Sequence, residues 1–307
     1  MPEVHQIVWD SQLQQDCLAI VRLALAEDLN GEEDWTTNAL VGANQQGTAN
    51  IVARESGVAA GLVTIPLVIA EAEAALEADF FVDDGQQFTA GTTLAKLSGN
   101  VRDLLTLERT ILNLLGRLMG IATLTSRYVQ EVSGTSARIY DTRKTTPGWR
   151  RLEKYAVHCG GGFNHRMGLF DAILIKDNHL AQRSGNAIAS PETAGEAVLD
   201  ARRFLESPSN KAQSDLIIEI EVDNLEQLAT VLPTQPDIIL LDNMDPSQLR
   251  EAVKLRDEHA PAVELEASGG IRLESLREVA ETGVDRISAG ALTHSARALD
   301  IGLDWRI

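Results

Sequence analysis

Cationic residues, aromatics and cysteines are all scarce in this 307-residue chain. Lysine and arginine number 27 against 45 aspartates and glutamates, a formal charge of −18. A surface of that sign repels nucleic acid and anionic membranes and fits simple solubility. Aromatics are 4% of the chain, too few for base stacking to be its main means of recognition. Two cysteines, Cys17 and Cys159, stand far apart and form neither a metal nor a redox pair, which suits a reducing cytoplasm. The longest apolar stretch, 57–70, is broken by Gly61, Thr64 and Pro66 and is too short to span a bilayer. The first ten residues carry no basic segment followed by an apolar run, so no signal peptide is expected. A soluble, cytoplasmic protein with no membrane or nucleic-acid partner is the expectation.

What is present divides the chain in two. A helix is predicted over 12–30, with Leu13, Cys17, Ile20, Val21, Ala24 and Leu25 on one face. Short strands at 49–53 and 80–82, a helix over 65–76 and turns at Gly57, Gly85, Gly91 and Gly99 make residues 1–120 an N-terminal α+β domain. A long helix over 101–132, interrupted at Gly116 and Gly120, leads onward. Strands at 138–142, 172–176, 216–222, 238–242, 263–268 and 286–288 then alternate with helices at 191–205, 225–232, 246–259 and 273–281. That alternation implies parallel strands with crossover helices, an incomplete α/β barrel over 121–293. Residues 180–214 read as a helix plus a surface loop, longer than a crossover needs.

Each predicted barrel strand ends in residues that a core strand does not require. The ends are Asp141-Thr142-Arg143-Lys144, Lys176-Asp177-Asn178-His179, Glu219 with Glu221, Asp242-Asn243, Ser268-Gly269-Gly270 and Ser288-Ala289-Gly290. In such barrels these ends meet on one face, where active sites are built. Between residues 141 and 179 there are seven Lys or Arg and four Asp or Glu, a basic island in an acidic chain. Arg143, Lys144, His165, Arg166 and Lys176 therefore point to a small polyanion held by charge-assisted hydrogen bonds. Glu221 and Asp242, on neighbouring strands beside a phosphate-type site, suit Mg²⁺, bound directly or through water or substrate; pairing with Lys176 would equally account for a carboxylate there. The Gly-Gly loop and Ala289-Gly290-Ala291 can bring backbone N–H groups close to a phosphate. His158, Cys159, His165 and His179 match no zinc spacing. Asp83-Asp84 loosely resembles an acidic phosphoribosyl pyrophosphate motif, but the glycines around it make it a hairpin turn.

At these residues the sequence resembles the quinolinate phosphoribosyltransferase family. The likeness lies in DTRKTTPGWR (141–150), KYAVHCGGGFNHRMGLFDAILIKDNH (154–179), EIEVDNLEQL (219–228), ILLDNM (239–244), EASGGI (266–271) and TGVDRISAGALTHS (282–295). LERTILNLL (107–115) and DGQQFTAGTTLAKLSG (84–99) extend it over almost the whole chain. Trp149, where a smaller apolar residue is common, and the long 183–213 segment depart from the pattern. The resemblance implies that Thr142, Arg143, Lys144, His165, Arg166 and Lys176 surround quinolinate and the pyrophosphate. It implies that Arg109 enters a partner subunit's site. Glu221 and Asp242 would lie beside the ribose and Mg²⁺, with Lys144 and Lys176 completing the catalytic set. Ser268, Gly269, Gly270, Ala289, Gly290 and Ala291 would hold the 5-phosphate. It further implies an open-sandwich α+β domain on an incomplete barrel, with tail 294–307 packed back on the small domain. A homodimer with shared sites is expected, open to higher assembly. A nicotinate-using relative, or a barrel that binds a phosphosugar without turning it over, is the alternative.

Overall fold

The computed structural model describes residues 4–184 and 191–305, in two compact units. One comprises 7–126, 144–162 and 292–307; the other comprises 1–6, 127–143 and 163–291. The helix Val101–Glu131 runs from the first into the second.

The first unit begins with the helix Ser11–Leu29, which buries Leu13, Cys17 and Val21. The Asp10 side chain caps its start by accepting the Leu13 N–H at 2.7 Å, and Asn30, left-handed at φ 48°, ends it. Strands β1 (Gln46–Ala53), β2 (Gly57–Val58), β3 (Leu76–Phe80), β4 (Gln87–Phe88) and β5 (Thr93–Asn100) follow. β1 lies between β5 and the terminal strand Ile301–Trp305, and β3 flanks β5, all antiparallel. The tail thus completes the small sheet. The helix predicted over 65–76 stops at Glu71, and Glu73, at φ 51°, redirects the chain into β3.

Gly116 and Gly120 do not interrupt the long helix, which is continuous over Val101–Glu131. They are there because another segment crosses that face. A Cβ on Gly120 would collide with the Arg297 carbonyl oxygen, and the Leu299 N–H donates to the Gly116 carbonyl at 2.8 Å. Asp83-Asp84 is a turn, as expected, and Asp84 ties it down. Its carboxylate accepts from the Gly61 and Leu62 N–H groups and from the Tyr155 hydroxyl at 2.8–3.0 Å.

The second unit holds six parallel strands: β6 (Arg138–Tyr140), β7 (Ile173–Ile175), β8 (Ile218–Val222), β9 (Ile238–Asp242), β10 (Glu264–Ser268) and β11 (Arg286–Ser288). Their order is β6-β11-β10-β9-β8-β7. Among the described residues no ladder joins β6 to β7, and Phe163 makes only an isolated parallel bridge to Tyr140. This is the incomplete parallel barrel. Crossover helices include Pro191–Glu206, Leu225–Val231, Pro246–His259 and Leu273–Ala280. Asp245 and Gln248 form a capping box at the third, with Pro246 in the first turn. Within the 180–214 connection, residues 185–190 lie outside the described part; the rest is the end of one helix, the helix Pro191–Glu206 and the turn Lys211–Gln213.

Candidate active site

Strand register decides which side chains share the barrel interior. Arg286 lies opposite Arg138 and Glu266, Glu266 opposite Leu240, and Leu240 opposite Glu221. Because side chains alternate, Glu219, Glu264, Ser268 and Asp242 fall on that same face, two residues away along their strands. Most side chains on this face are polar.

At its centre is a buried charge chain. Arg286, 1% exposed, donates through Nε to Glu266 at 2.8 Å, reaches Glu264 at 3.3 Å and lies 3.6 Å over the Tyr140 ring. Arg138 reaches Glu264 from β6 at 3.0 Å. His165 Nε2 is 3.1 Å from Glu219 and 3.4 Å from Glu266. Its backbone N–H donates to Asp141, and its Nδ1 accepts the Arg166 N–H at 2.8 Å. Sequence reading took Glu219 as a strand end and missed Glu264, Glu266 and Arg286. The signal was there: in IEIEV and ELEAS, acids recur at every second residue on strands otherwise buried on both faces.

Three of these groups, His165, Glu219 and Glu266, are close enough to offer ligand atoms to one metal ion. The Arg166 N–H argues against it. A backbone N–H can only donate, so Nδ1 keeps its lone pair and Nε2 carries the proton where a metal would bind. Burial opposes a charge on His165, but Glu219 and Glu266 outweigh it and push its pKa up to about 10. The Nδ1 contact pulls the other way, because a second ring proton would face the Arg166 N–H.

Arg166 is 6% exposed. Its Nη1 donates to the Ala172 carbonyl at 3.1 Å, while the buried Nε has no hydrogen-bond partner. Burial and, after it, the neighbouring Arg143 push its pKa down, against Glu219 and Asp171. The like charge of Arg143 adds to that cost, and an anion bound here would relieve it. At the ends of β7 and β8, Lys176 pairs directly with Glu221. Burial raises the Glu221 carboxyl above its usual range, Lys176 opposes this, and Asp242 and Asp177 add to it. Asp242 Oδ2 accepts from Asn243 Nδ2 at 2.7 Å.

The Gly-Gly loop packs on the end of β9. Asn243, itself left-handed at φ 53°, donates its N–H to the Ser268 carbonyl. Gly269 sits against it at φ 87°, where an added Cβ would lie 2.9 Å from the Asn243 nitrogen. Ser288 Oγ donates to Ser268 Oγ at 3.1 Å. The Ala289 N–H donates to the Tyr140 carbonyl at 3.0 Å.

Arg143, Arg166, Lys176, Glu221, Asp242, Ser268–Gly270 and 289–291 therefore belong to one unit, as do Thr142 and His165. Lys144 and Arg109 belong to the other. Lys144 is exposed, its carbonyl accepting from the Thr293 hydroxyl at 2.7 Å, and Arg109 is exposed on the long helix.

Polar and charged residues gathered at the carboxyl ends of parallel strands mark an α/β-barrel enzyme. Residues 34–119 match the family "Quinolinate phosphoribosyl transferase, N-terminal domain", and residues 121–304 match its C-terminal domain. The chain is 47% identical over 286 residues to the nicotinate-nucleotide pyrophosphorylase [carboxylating] of Mycobacterium leprae, covering 92% of this chain and 95% of the relative. It is 40% identical to a probable enzyme of the same name from Bacillus subtilis, over 91% of this chain and 89% of that one. The solved structure of the Francisella tularensis nicotinate-nucleotide pyrophosphorylase superposes with a TM-score of 0.86 at 36% identity, covering 99% and 100% of the two chains. The chain belongs to the quinolinate phosphoribosyltransferase family.

Proposed function

We propose that the Arg143–Arg166 pair receives the quinolinate dianion and that Lys176, Glu221 and Asp242 serve the phosphoribosyl end of the same site. The reaction is that of the family: quinolinate and phosphoribosyl pyrophosphate give nicotinate mononucleotide, CO₂ and pyrophosphate, a step in de novo NAD synthesis. The observation that carries the assignment is the buried Arg166 guanidinium, its Nε without a hydrogen-bond partner and its charge opposed by burial and by Arg143, in a chain of net charge −18.

The chemistry follows from where charge develops. When the pyridine nitrogen displaces pyrophosphate, the ribose carbon becomes positive and the leaving group negative. Glu221 and Asp242 oppose the first charge, and Lys176 the second. Glu221 then exchanges its Lys176 partner for the ribose side of the site. In the product the ring nitrogen is cationic and stabilises the carbanion left as the adjacent carboxylate departs as CO₂, while the arginines clamp the other carboxylate. The 5-phosphate is assigned to Ser268, Gly269, Gly270, Gly290 and Ala291.

Glu221 and Asp242 fit Mg²⁺: they offer hard oxygens from adjacent strands, on the same face, close enough for Asp242 to raise the Glu221 pKa. The ion would supply positive charge to the pyrophosphate. A homodimer in which Arg109 serves the partner's site follows from the family resemblance. Mixed dimers of Arg109→Ala and Lys176→Ala chains should then regain about a quarter of native activity, and none if each site is self-contained. The activity itself is tested by following CO₂ release from quinolinate on addition of phosphoribosyl pyrophosphate and Mg²⁺. Equal turnover of nicotinate with no CO₂ from quinolinate would overturn the substrate assignment.

A further inference from the structure

Asn243 follows directly on the carboxylate that ends β9, and its side chain turns back onto that carboxylate. We propose that Asn243 is a positioning residue that acts through Asp242, holding its carboxylate toward the ribose and Mg²⁺. The inference rests on Asp242 serving the phosphoribosyl end of the site.

The chain leaves β9 in a sharp turn, and Asn243 makes it in the left-handed conformation at φ 53°, which asparagine tolerates better than most side chains. There its backbone N–H donates to the Ser268 carbonyl at 2.9 Å, and its Nδ2 donates to Asp242 Oδ2 at 2.7 Å. The amide can face Asp242 only this way round, because its oxygen turned to a carboxylate would set two acceptors against each other. Gly269 lies against that oxygen: an added Cβ there would be 2.3 Å from Asn243 Oδ1 and 2.6 Å from its Cγ. An exposed side chain is thereby held between a carboxylate on one side and the Gly-Gly loop on the other. Among the described residues no other donor is bonded to the Asp242 carboxylate, so its orientation depends on Asn243. If the turn alone mattered, glycine would serve as well, since it takes a positive φ at no steric cost.

Asn243→Gly makes that distinction. It keeps the backbone conformation and the N–H bonded to Ser268, and removes only the carboxamide. The expected result is a fall in kcat on the order of tenfold or more, the scale seen when the outer partner of a metal-facing ligand is removed. KM for phosphoribosyl pyrophosphate should rise, while KM for quinolinate and Tm stay close to native. Calorimetric titration of phosphoribosyl pyrophosphate with Mg²⁺, in the absence of quinolinate, should show weaker binding by a similar factor without any turnover. Asp242→Ala, alone and combined with Asn243→Gly, completes a double-mutant cycle. Once the carboxylate is gone, the second substitution should cost nothing further.

Native kinetics and native binding in Asn243→Gly would overturn the proposal. So would a lowered Tm with unchanged kinetics, which would make Asn243 a turn residue only. An equal loss from Asn243→Gly with and without the Asp242 carboxylate would show that it does not act through Asp242. If Asp242→Ala alone is as active as the native enzyme, the assignment of Asp242 has failed and the proposal falls with it. If Asp242→Ala is inactive and Asn243→Gly is not impaired, only the positioning role is lost.

Discussion

Replacing Arg166 separates a binding role from a structural one, because its surroundings make opposite demands in each case. The side chain is buried and carries a charge beside a second arginine, so in the ligand-free chain its ionised form is disfavoured, as its lowered pKa reflects. Arg166→Met keeps most of the volume and removes that charge. The stability lost is the hydrogen bond to the Ala172 carbonyl, worth about 0.5–1.5 kcal/mol. Relief of the Arg143–Arg166 repulsion offsets part of it, while the loss of a cation near Glu219 acts against that relief. The net change should stay within about 1.5 kcal/mol, a shift in Tm of roughly 3–6 °C or less by the scaling for larger domains. Catalysis should suffer far more. Removing one preorganised charge donor costs about 2.7–4 kcal/mol of transition-state stabilisation, a loss of roughly 10²–10³ in rate. Arg166→Lys should recover little, because an ammonium keeps the charge but not the planar fork that meets a carboxylate at two points. Steady-state kinetics in both substrates, with thermal unfolding of each variant, makes the comparison. A variant that unfolds readily but retains near-native kcat/KM in its folded fraction would refute the reasoning and make Arg166 a structural residue.

Other consequences are as direct. Exhaustive chelation should abolish activity and Mg²⁺ or Mn²⁺ should restore it, since Glu221, Asp242 and phosphates offer only hard oxygens; full activity in chelator removes the metal assignment. Gly269→Ala should cost about 1–3 kcal/mol from its left-handed backbone alone and should weaken phosphoribosyl pyrophosphate binding more than quinolinate binding. Equal loss for both substrates would detach the Gly-Gly loop from the phosphate. Burial pushes the thiol pKa of Cys17 up to about 11 and that of Cys159 up to about 12, so both remain thiols at pH 8. Iodoacetamide should therefore label neither until the chain is unfolded; rapid native labelling of either, read by mass spectrometry, would contradict the burial.

The parallel strands and their crossover helices were legible because the apolar runs are short, separated by helical periodicity and closed by polar or glycine-rich ends. Strands 238–242 and 286–288 match residue for residue. The long helix shows where local rules mislead. Gly116 and Gly120 lower helix propensity, and sequence alone reads them as breaks, but their cause is the Arg297–Leu299 segment some 180 residues away. No local pattern carries that information. The resemblance placed the tail on the small domain, but local pattern did not show the strand Ile301–Trp305, because its partner is β1 at the other end of the chain. In the candidate site the outer residues were readable from their places at strand ends. Below them, the rule that strands buried on both faces are apolar hid the Glu264–Glu266–Arg286 chain, although period-two acids inside a barrel strand are themselves a signal.

That buried chain raises the question of what it contributes, since burying ions is a poor route to stability. Desolvating Arg286, Glu266, Glu219 and Glu264 costs several kcal/mol per ion, and apolar residues of like volume often do as well or better. Hydrophobic residues would fill the barrel, but they would not fix the direction of anything above them. The acids have directional effects. Glu264 is shared by Arg138 and Arg286, fixing β6 and β11 across β10, and Glu266 holds Arg286 a second time at 2.8 Å. Arg286 is thereby tied to both acids of β10, and three neighbouring strands are locked in one register by charge, at the expense of a less stable core.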